Sequence, residues 1–273
     1  NFPKARGQYA VWSQDIPINR SLGNRAAARV VLDAKSAATK RFSLSVVRIA
    51  KGGRLTPRFH PDAHLFIFVL DGSGQMEWAK SMTRTKYLPV SRGSAIYLPK
   101  GTVYQARGSS DPPLVLAIFS TPRGPEAYLS GGLTGSDTIL IPPTGLSQSA
   151  KKRPAPGAGS KAVHKHINFS RFGKFSSGPV ISIAGVGTLG IQMAPAWNSL
   201  SVSPRNRSEV GFFVVQGGGV LKNSRGIWPV QPGSGLYFPM RGTYIPKLKK
   251  IPFYGVWFST AKAPNIRVKK LRP

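Results

Sequence analysis

The sequence predicts an all-β protein with a few short helices, built as two small β-barrels in tandem. Three observations lead to this prediction. The chain of 273 residues contains 30 Gly and 24 Pro, which suits many short strands joined by turns better than long helices. Blocks from its first half recur in the same order about 140 residues later, as in a duplicated unit. Short segments of the chain have the pattern of strands, either alternating apolar and polar residues or forming a buried apolar run.

The internal repeat is carried by three pairs of blocks. In chain order they are 66–72 with 211–217, 93–104 with 233–244, and 116–121 with 254–260. Within the middle pair, Gly-Ser-x-x-Tyr-x-Pro stands in both copies, and it is followed by Gly-Thr-x-Tyr in the first and by Gly-Thr-Tyr in the second. Three matches in one order indicate that each half forms one barrel of short strands.

Individual strands can be placed in the first half of the chain. Residues 42–49 alternate, with Phe42 and Leu44 on one face, and residues 65–70 form a buried apolar run that ends at Gly72. Pro99-Lys100-Gly101 predicts a tight turn between two strands.

The segment between the two copies is rich in Gly, Pro, Ser and Lys, and it contains Pro142-Pro143 and Pro154-Ala155-Pro156. We interpret it as a linker or surface loop. The predicted domains are therefore 1–132 for the first barrel, 133–166 for the linker and 167–273 for the second barrel.

Composition excludes several classes of function. The chain has no Cys, so disulfides, thiolate metal sites and Cys nucleophiles are excluded. No apolar run approaches the roughly 18 residues of a membrane span, so no membrane partner is expected. The first residue is Asn rather than Met, which suggests a processed or truncated chain.

The charge of the chain is strongly basic, with 39 Lys+Arg against 9 Asp+Glu and a formal net charge of +30. Such an imbalance is typical of a partner that is a polyanion such as nucleic acid. The basic residues are scattered along the chain, however, and scattered charges are more often simply solvated. Both interpretations remain open from the sequence.

The repeated blocks resemble the signature of the cupin family, which implies jelly-roll barrels. In metal-bearing cupins this signature supplies three His and one Glu as ligands. The corresponding positions here are Arg58, His60, Leu65 and Tyr104 in the first half, and Ser203, Arg205, Val210 and Tyr244 in the second, where Glu209 is one residue out of register. One ligand of four survives in the first half and none in the second. A protein metal site needs about three converging ligands, so we expect no metal and no other cofactor.

Within the cupins, the chain resembles the vicilin-type (7S) seed-storage globulins. The resemblance is carried by the ungapped stretch 60–72, by Thr121-Pro122-Arg123-Gly124, and by 167–175 at the start of the second half. It implies a plant bicupin that serves as a nutrient reservoir, assembles as a homotrimer, and is stored in the seed's protein storage vacuole after passing through the secretory pathway.

Small anions are the expected ligands of the altered barrels. Arg58, His60 and Tyr104 would provide a cation and hydrogen-bond donors where a metal is lost, which would favour a small carboxylate or phosphate. Tyr244 with Arg205 or Arg241 would form the equivalent site in the second barrel. The alternative is that His60 is an ordinary buried histidine bonded to a neighbouring strand.

Other polar motifs give weaker signals. His164-Lys165-His166 resembles a metal pair but lies outside the cupin register, and we interpret it as a solvated polar stretch. Asp62 and His64 lie two residues apart, which alone establishes no catalytic arrangement.

We therefore predict a storage protein that is not an enzyme. One alternative is a basic structural subunit of a large ribonucleoprotein, and another is a metal-free cupin isomerase or epimerase.

Overall fold

The structure is a computed structural model. The residues that it describes are 10–12, 23–34, 36–81, 84–122, 127–129, 139–140, 161–167, 177–195, 198–205, 208–223, 226–239, 245–248 and 252–270.

The strands of the first half follow the predicted pattern of short elements. They are β1 (Ala10–Trp12), β2 (Gly23–Leu32), β3 (Ser43–Leu55), β4 (Arg58–Phe59), β5 (His64–Asp71), β6 (Ser73–Ser81), β7 (Arg84–Ser91), β8 (Ser94–Leu98), β9 (Val103–Gly108), β10 (Leu114–Thr121), β11 (Ala127–Leu129) and β12 (Ile139–Leu140).

The strands of the second half repeat this pattern. They are β13 (Val163–His166), β14 (Ser177–Ile183), β15 (Gly187–Ala194), β16 (Asn198–Ser203), β17 (Val210–Gln216), β18 (Gly219–Asn223), β19 (Gly226–Val230), β20 (Ser234–Phe238), β21 (Ile245–Leu248), β22 (Phe253–Ser259) and β23 (Asn265–Lys270).

The first barrel is one curled sheet in which the strand order is β12-β11-β4-β9-β3-β10-β5-β8-β13. Strand β2 pairs with β3, and the β6–β7 hairpin joins the sheet through β9. The strand pairings among the described residues of this sheet are antiparallel, and side chains alternate between the barrel interior and the outer face.

The interior of the first barrel is filled by one cluster of buried apolar side chains. It contains Ala26, Val47, Ile49, Leu55, Leu65, Ile67, Val69, Met76, Trp78, Val90, Ile96, Leu98, Tyr104, Ala106, Leu114, Leu116 and Ile118. The cluster draws on most strands of the sheet, as expected for a sheet that curls around its core.

The second barrel consists of two sheets. Their strand orders are β1-β20-β17-β22-β15-β14 and β19-β18-β21-β16-β23. Their shared core contains Ala194, Leu200, Val202, Val210, Phe212, Val214, Leu221, Val230, Leu236, Phe238, Phe253 and Trp257. Because both sheets contribute to it, the core lies between them.

The contacts of the chain define two compact units. One comprises Ile18–Arg29 and Val46–His166, and the other comprises Asn1–Pro17, Val30–Ser45 and Ile167–Pro273. We call the first the N-barrel unit and the second the C-barrel unit. This grouping differs from the predicted domain bounds, which placed residues 30–45 in the first domain and 133–166 in a linker.

Aromatic packing explains why residues 30–45 group with the C-barrel unit. The ring of Phe42 lies 6.1 Å from that of Tyr237 and 5.8 Å from that of Phe258. Gly235 leaves room for Val31, whose Cγ1 would lie 2.5 Å from a Cβ at that position. Apolar burial therefore attaches this early segment to the later unit.

Strand β3 crosses from one unit to the other, and its burial pattern records the crossing. Leu44 is buried in the C-barrel unit, whereas Val47 and Ile49 are buried in the N-barrel unit. The buried positions change parity between Leu44 and Val47. The predicted alternation of buried and less buried residues therefore holds within 42–44 and within 47–49, but it is interrupted between these two parts.

Other local predictions are confirmed. Residues 65–70 form a buried run within β5, and Gly72 follows it with a φ of 71°. Thr102 N donates to Pro99 O at 3.2 Å, which closes the predicted turn. The all-β fold class is confirmed, and the described residues contain no helix, so none of the few expected short helices is found among them. Across these same residues, nothing forms a helix long and apolar enough to cross a membrane.

Candidate functional site

The candidate site of the N-barrel unit lies on a row of side chains that crosses three neighbouring strands. Arg58 of β4 pairs with Tyr104 of β9, and Tyr104 pairs in turn with Trp78 of β6. Directly paired residues of antiparallel strands share one face of the sheet, with Cβ atoms about 5 Å apart. Tyr104 and Trp78 belong to the interior cluster, so Arg58 lies on the interior face as well.

The charge of Arg58 is held in a buried position. The residue is 2% exposed, and its Nε donates to the backbone carbonyl of Thr56 at 2.9 Å. A guanidinium stays protonated even when it is buried. The structure therefore places buried Arg58 directly opposite the 1%-exposed Tyr104, and the binding of an anion between them stays a prediction.

His60 comes directly after β4, two residues beyond Arg58. Its backbone carbonyl accepts a hydrogen bond from Gly101 N at 2.8 Å, which ties it to the turn before β9. The residue is half-buried, and its Nδ1 atom is shielded from solvent. Strand β9 also carries Tyr104, so this backbone bond fixes His60 relative to the Arg58–Tyr104 pair.

The residues at the metal-ligand positions of the first barrel do not fit the His and Glu ligands of metal-bearing cupins. Leu65 is 2% exposed and packs in the interior core, and Arg58 brings a cation where a neutral imidazole would be required. Within the described ranges there is no group of three or more His, Cys, Asp or Glu side chains that could hold a metal ion.

Of the candidate anion-binding residues of the second barrel, Arg205 is the one that lies within the described residues. Arg205 is exposed in the loop after β16, where its carbonyl accepts from Ser208 N at 2.8 Å. Tyr244 and Arg241 lie outside the described residues.

Aromatic side chains pack in the interior of the second barrel. The ring of Phe212 lies 6.3 Å from that of Phe238 and 5.8 Å from that of Phe253. The ring of Phe212 packs against Gly255. A Cβ at position 255 would lie 2.5 Å from Cε1 of Phe212, so glycine leaves the room that the ring needs. Val210, at the former Glu position, is part of this apolar core.

Glu209 has a structural role. It lies one residue before Val210, which occupies the position of the cupin Glu ligand. Because Val210 faces the core, the side chain of Glu209 points to the opposite face. Its Oε2 accepts from the backbone N of Lys40 at 3.2 Å and of Arg41 at 3.1 Å. Glu209 therefore attaches residues 40–41 to the C-barrel unit.

A second buried carboxylate was missed by the sequence analysis. Glu77 is 2% exposed and lies on the outer face of β6, because Met76 and Trp78 face the interior. It accepts a hydrogen bond from Gln105 Nε2, and its Oε1 lies 2.8 Å from Arg107 Nε. Only its pairing with β9 brings these groups together, and no local motif marks that pairing.

His64 also lies on the outer face of its strand. Its Nδ1 is hydrogen-bonded to the Tyr97 hydroxyl at 2.8 Å, and the two rings stack at 5.8 Å. Burial, and then the positive charge of Lys100, hold the pKa of His64 below its ordinary value. Asp62 is exposed. His64 is hydrogen-bonded to Tyr97 rather than to Asp62, so the structure does not support an acid–base pair of Asp62 and His64.

His164-Lys165-His166 forms strand β13, which pairs with β8 at the edge of the first sheet. All three side chains are exposed, as expected of a solvated stretch. His166 Nδ1 lies 3.2 Å from Ser94 Oγ. Burial, and then the neighbouring His166, lower the pKa of His164.

Comparison with known proteins identifies the fold of the chain. The family model described as Cupin matches residues 14–141. A germin-like protein of Arabidopsis thaliana, subfamily 2 member 1, is 27% identical over 137 residues. That match covers 50% of this chain and 62% of the relative, so the chain spans less than two thirds of the relative's length. The sequence of the first half therefore resembles cupins, and the chain has a cupin fold.

Solved structures of tandem cupins resemble the whole chain. Pumpkin seed globulin matches with a TM-score of 0.68 and 13% identity, over 96% of this chain and 87% of the other. Lactobacillus farciminis oxalate decarboxylase in complex with formate matches with a TM-score of 0.70 and 14% identity, over 96% and 89%. A variant of the Bacillus subtilis oxalate decarboxylase matches with a TM-score of 0.66 and 11% identity, over 96% and 80%. At these identities the likeness establishes the bicupin fold alone.

The prediction that this chain is not an enzyme is wrong. It rested on the loss of metal ligands from a fold that we associated with storage. The solved structures that share the fold include oxalate decarboxylases beside a seed globulin, and the sequence relative is a germin-like protein. One barrel architecture carries both storage and catalysis, because function depends on the side chains that line it.

Proposed function

We propose that this protein is a storage-type bicupin whose first barrel binds a small carboxylate, such as oxalate or formate, between Arg58 and Tyr104. The observation that carries the proposal is the buried Arg58 directly opposite a buried tyrosine on the next strand. The seed globulin among the similar structures supports the storage part.

The chemistry of the pair suits a carboxylate. The planar fork of a guanidinium matches the two oxygens of a carboxylate, and a phenol adds one further donor. Hydrogen bonds between charged partners are roughly twice as strong as neutral ones. The surrounding apolar side chains strengthen the attraction between Arg58 and an anion, because they lower the local dielectric. The formate bound to a bicupin of similar fold supports the same ligand class.

Binding is tested by calorimetric titration of the full chain with oxalate and with formate. We expect Tyr104→Phe to weaken oxalate binding about tenfold, the effect of losing one hydrogen bond to a charged group. Arg58→Gln should abolish it. Tyr97→Phe is the matched control, because it removes a buried hydroxyl from the outer face of the same barrel, and it should bind like the wild type.

Thermal unfolding measured alongside identifies a variant that fails to fold. Since Tyr104→Phe removes a single atom, it remains informative if Arg58→Gln is unstable. Equal affinities in the Tyr104→Phe and Tyr97→Phe variants would contradict the proposed site.

Turnover is measured in the same samples. Formate release from oxalate by the wild type, lost in both Arg58→Gln and Tyr104→Phe, would extend the site from binding to catalysis. Such a result would join this chain functionally to the oxalate decarboxylases of similar fold.

The storage proposal includes assembly and location. We propose a homotrimer, stored in the seed vacuole as vicilins are. A mass in solution equal to three chains of 29.4 kDa, measured by light scattering, is the expected result. A monomer would contradict this assembly.

A second candidate function is polyanion binding, as in a subunit of a large ribonucleoprotein. The observation that favours it is a basic stripe on the outer face of the N-barrel unit. Arg48, Lys51 and Arg54 are exposed along β3 between its buried residues. Exposed Arg107 pairs directly with Arg54. Such a surface attracts phosphate backbones.

Salt dependence tests this candidate. If each of the four side chains of the stripe contacts one phosphate, the affinity for heparin or RNA should fall about 100-fold between 50 and 200 mM salt. In the variant that combines Lys51→Gln and Arg54→Gln, two phosphate contacts are lost. The slope of log affinity against log salt concentration should therefore become shallower by about two. The combination Lys262→Gln and Arg267→Gln removes the same charge from exposed residues of the C-barrel unit and should leave the slope nearly unchanged. Equal slopes in both double variants would show a non-specific charge effect.

A further inference from the structure

We propose that His164 and His166 form a two-histidine site for a divalent transition metal such as Cu²⁺, Ni²⁺ or Zn²⁺ on edge strand β13. This site does not use the cupin ligand positions.

The strand geometry brings the two imidazoles to one face. Residues two apart on a strand share a face, and Lys165 between them points to the other. Both histidines are exposed. Strand β13 ends the described sheet and pairs with β8 alone among the described strands, so an ion can approach from solvent.

One histidine is already oriented for a ligand. His166 Nδ1 lies 3.2 Å from Ser94 Oγ. When Nδ1 donates its proton in this bond, Nε2 carries the lone pair that binds a metal. Metal-binding histidines commonly have their second nitrogen held in this way.

The ligand set indicates the class of metal. Imidazole nitrogen suits Cu²⁺, Ni²⁺ and Zn²⁺ and is poorly suited to Mg²⁺ or Ca²⁺. No third His, Cys, Asp or Glu joins the pair within the described part of the chain, so water completes the coordination. Two protein ligands give an exchangeable site with open positions, and Cu²⁺ should bind more tightly than Zn²⁺.

The test is titration of the full chain with Cu²⁺ and with Zn²⁺, followed by calorimetry and, for Cu²⁺, by electron paramagnetic resonance. The expected result is one ion per chain, with hyperfine coupling to imidazole nitrogens in the copper spectrum. His164→Ala and His166→Ala should each weaken Cu²⁺ binding at least tenfold, which is about 1.4 kcal/mol.

Two control variants separate this site from general effects. Lys165→Ala changes the same strand on its opposite face, and His64→Gln removes a histidine elsewhere in the N-barrel unit. Neither should weaken binding. Wild-type affinity in the variant that combines His164→Ala and His166→Ala would overturn the proposal, as would a copper spectrum without nitrogen coupling. Because both side chains are exposed, these variants should fold, and circular dichroism verifies it.

Discussion

Replacing Trp257 by alanine is expected to lower the free energy of unfolding of the C-barrel unit by about 3–5 kcal/mol, the usual cost of deleting a large buried aromatic side chain. Trp257 is 2% exposed in the core between the two sheets. Its Nε1 donates to Ile191 O at 3.0 Å, so the substitution also leaves a buried carbonyl without this donor. Denaturant unfolding followed by far-ultraviolet circular dichroism measures the loss.

The space that Trp257 occupies is provided by a glycine on the adjacent strand. Gly190 pairs with Trp257, and a Cβ at Gly190 would overlap the indole ring. We therefore expect Gly190→Ala to destabilise the wild type by about 1–3 kcal/mol through overpacking. Gly178→Ala is the matched control, because a Cβ at Gly178 meets nothing within 4 Å.

A double-mutant cycle distinguishes this packing from a general effect of glycine. Once Trp257→Ala has emptied the space, Gly190→Ala should cost less, with a coupling of about 1 kcal/mol or more. Trp257→Phe keeps a ring and should lose less stability than alanine. Strict additivity of Trp257→Ala and Gly190→Ala would contradict the proposed packing.

The tandem barrels could be predicted from the sequence because they are encoded by local signals. Gly72 and Gly101 both have positive φ, at 71° and 72°, which non-glycine residues rarely adopt. Their recurrence with apolar runs at fixed spacing specifies turns and strands without knowledge of distant contacts. The pairing of Arg58 with Tyr104 also follows from this register, since both positions belong to the family signature.

Long-range pairings could not be predicted in the same way. Glu77 meets Arg107 only because β6 lies beside β9, and Phe42 joins the C-barrel unit only because Tyr237 and Phe258 form its surroundings. Likewise, His166 reaches Ser94 across 72 positions of sequence. Each contact depends on where the chain returns after a long excursion, and strand periodicity carries no information about that.

The error about catalysis has a related physical origin. The absence of catalysis was inferred from single positions that lack a metal ligand, such as Leu65. This conclusion was then applied to the whole protein. A barrel holds its shape through apolar packing, so the shape is compatible with many different linings. Activity depends on the polar side chains that share the interior with Tyr104, and it must be argued from them.

Replacing Glu209 by alanine should free residues 40–41 from the C-barrel unit. Glu209 is 1% exposed, and its Oε2 is the acceptor for two backbone N–H groups, those of Lys40 and Arg41. Hydrogen bonds to a charged acceptor are worth about 1.5–3 kcal/mol each, and their loss leaves both donors without this acceptor. We expect a loss of about 3 kcal/mol in the free energy of unfolding.

Amide hydrogen exchange locates this loss, because the measurement reports each backbone group separately. The Lys40 and Arg41 amides should exchange about 100-fold faster in Glu209→Ala, the factor that corresponds to about 3 kcal/mol of local opening. Glu209→Gln retains a carbonyl acceptor in the same position and should lose less. Thr260→Val removes the 3.0 Å bond from Glu209 N to Thr260 Oγ1 but leaves the carboxylate, so it should spare these two amides. Unchanged exchange at both amides in Glu209→Ala would mean that apolar packing around Phe42, rather than this carboxylate, attaches the segment to the C-barrel unit.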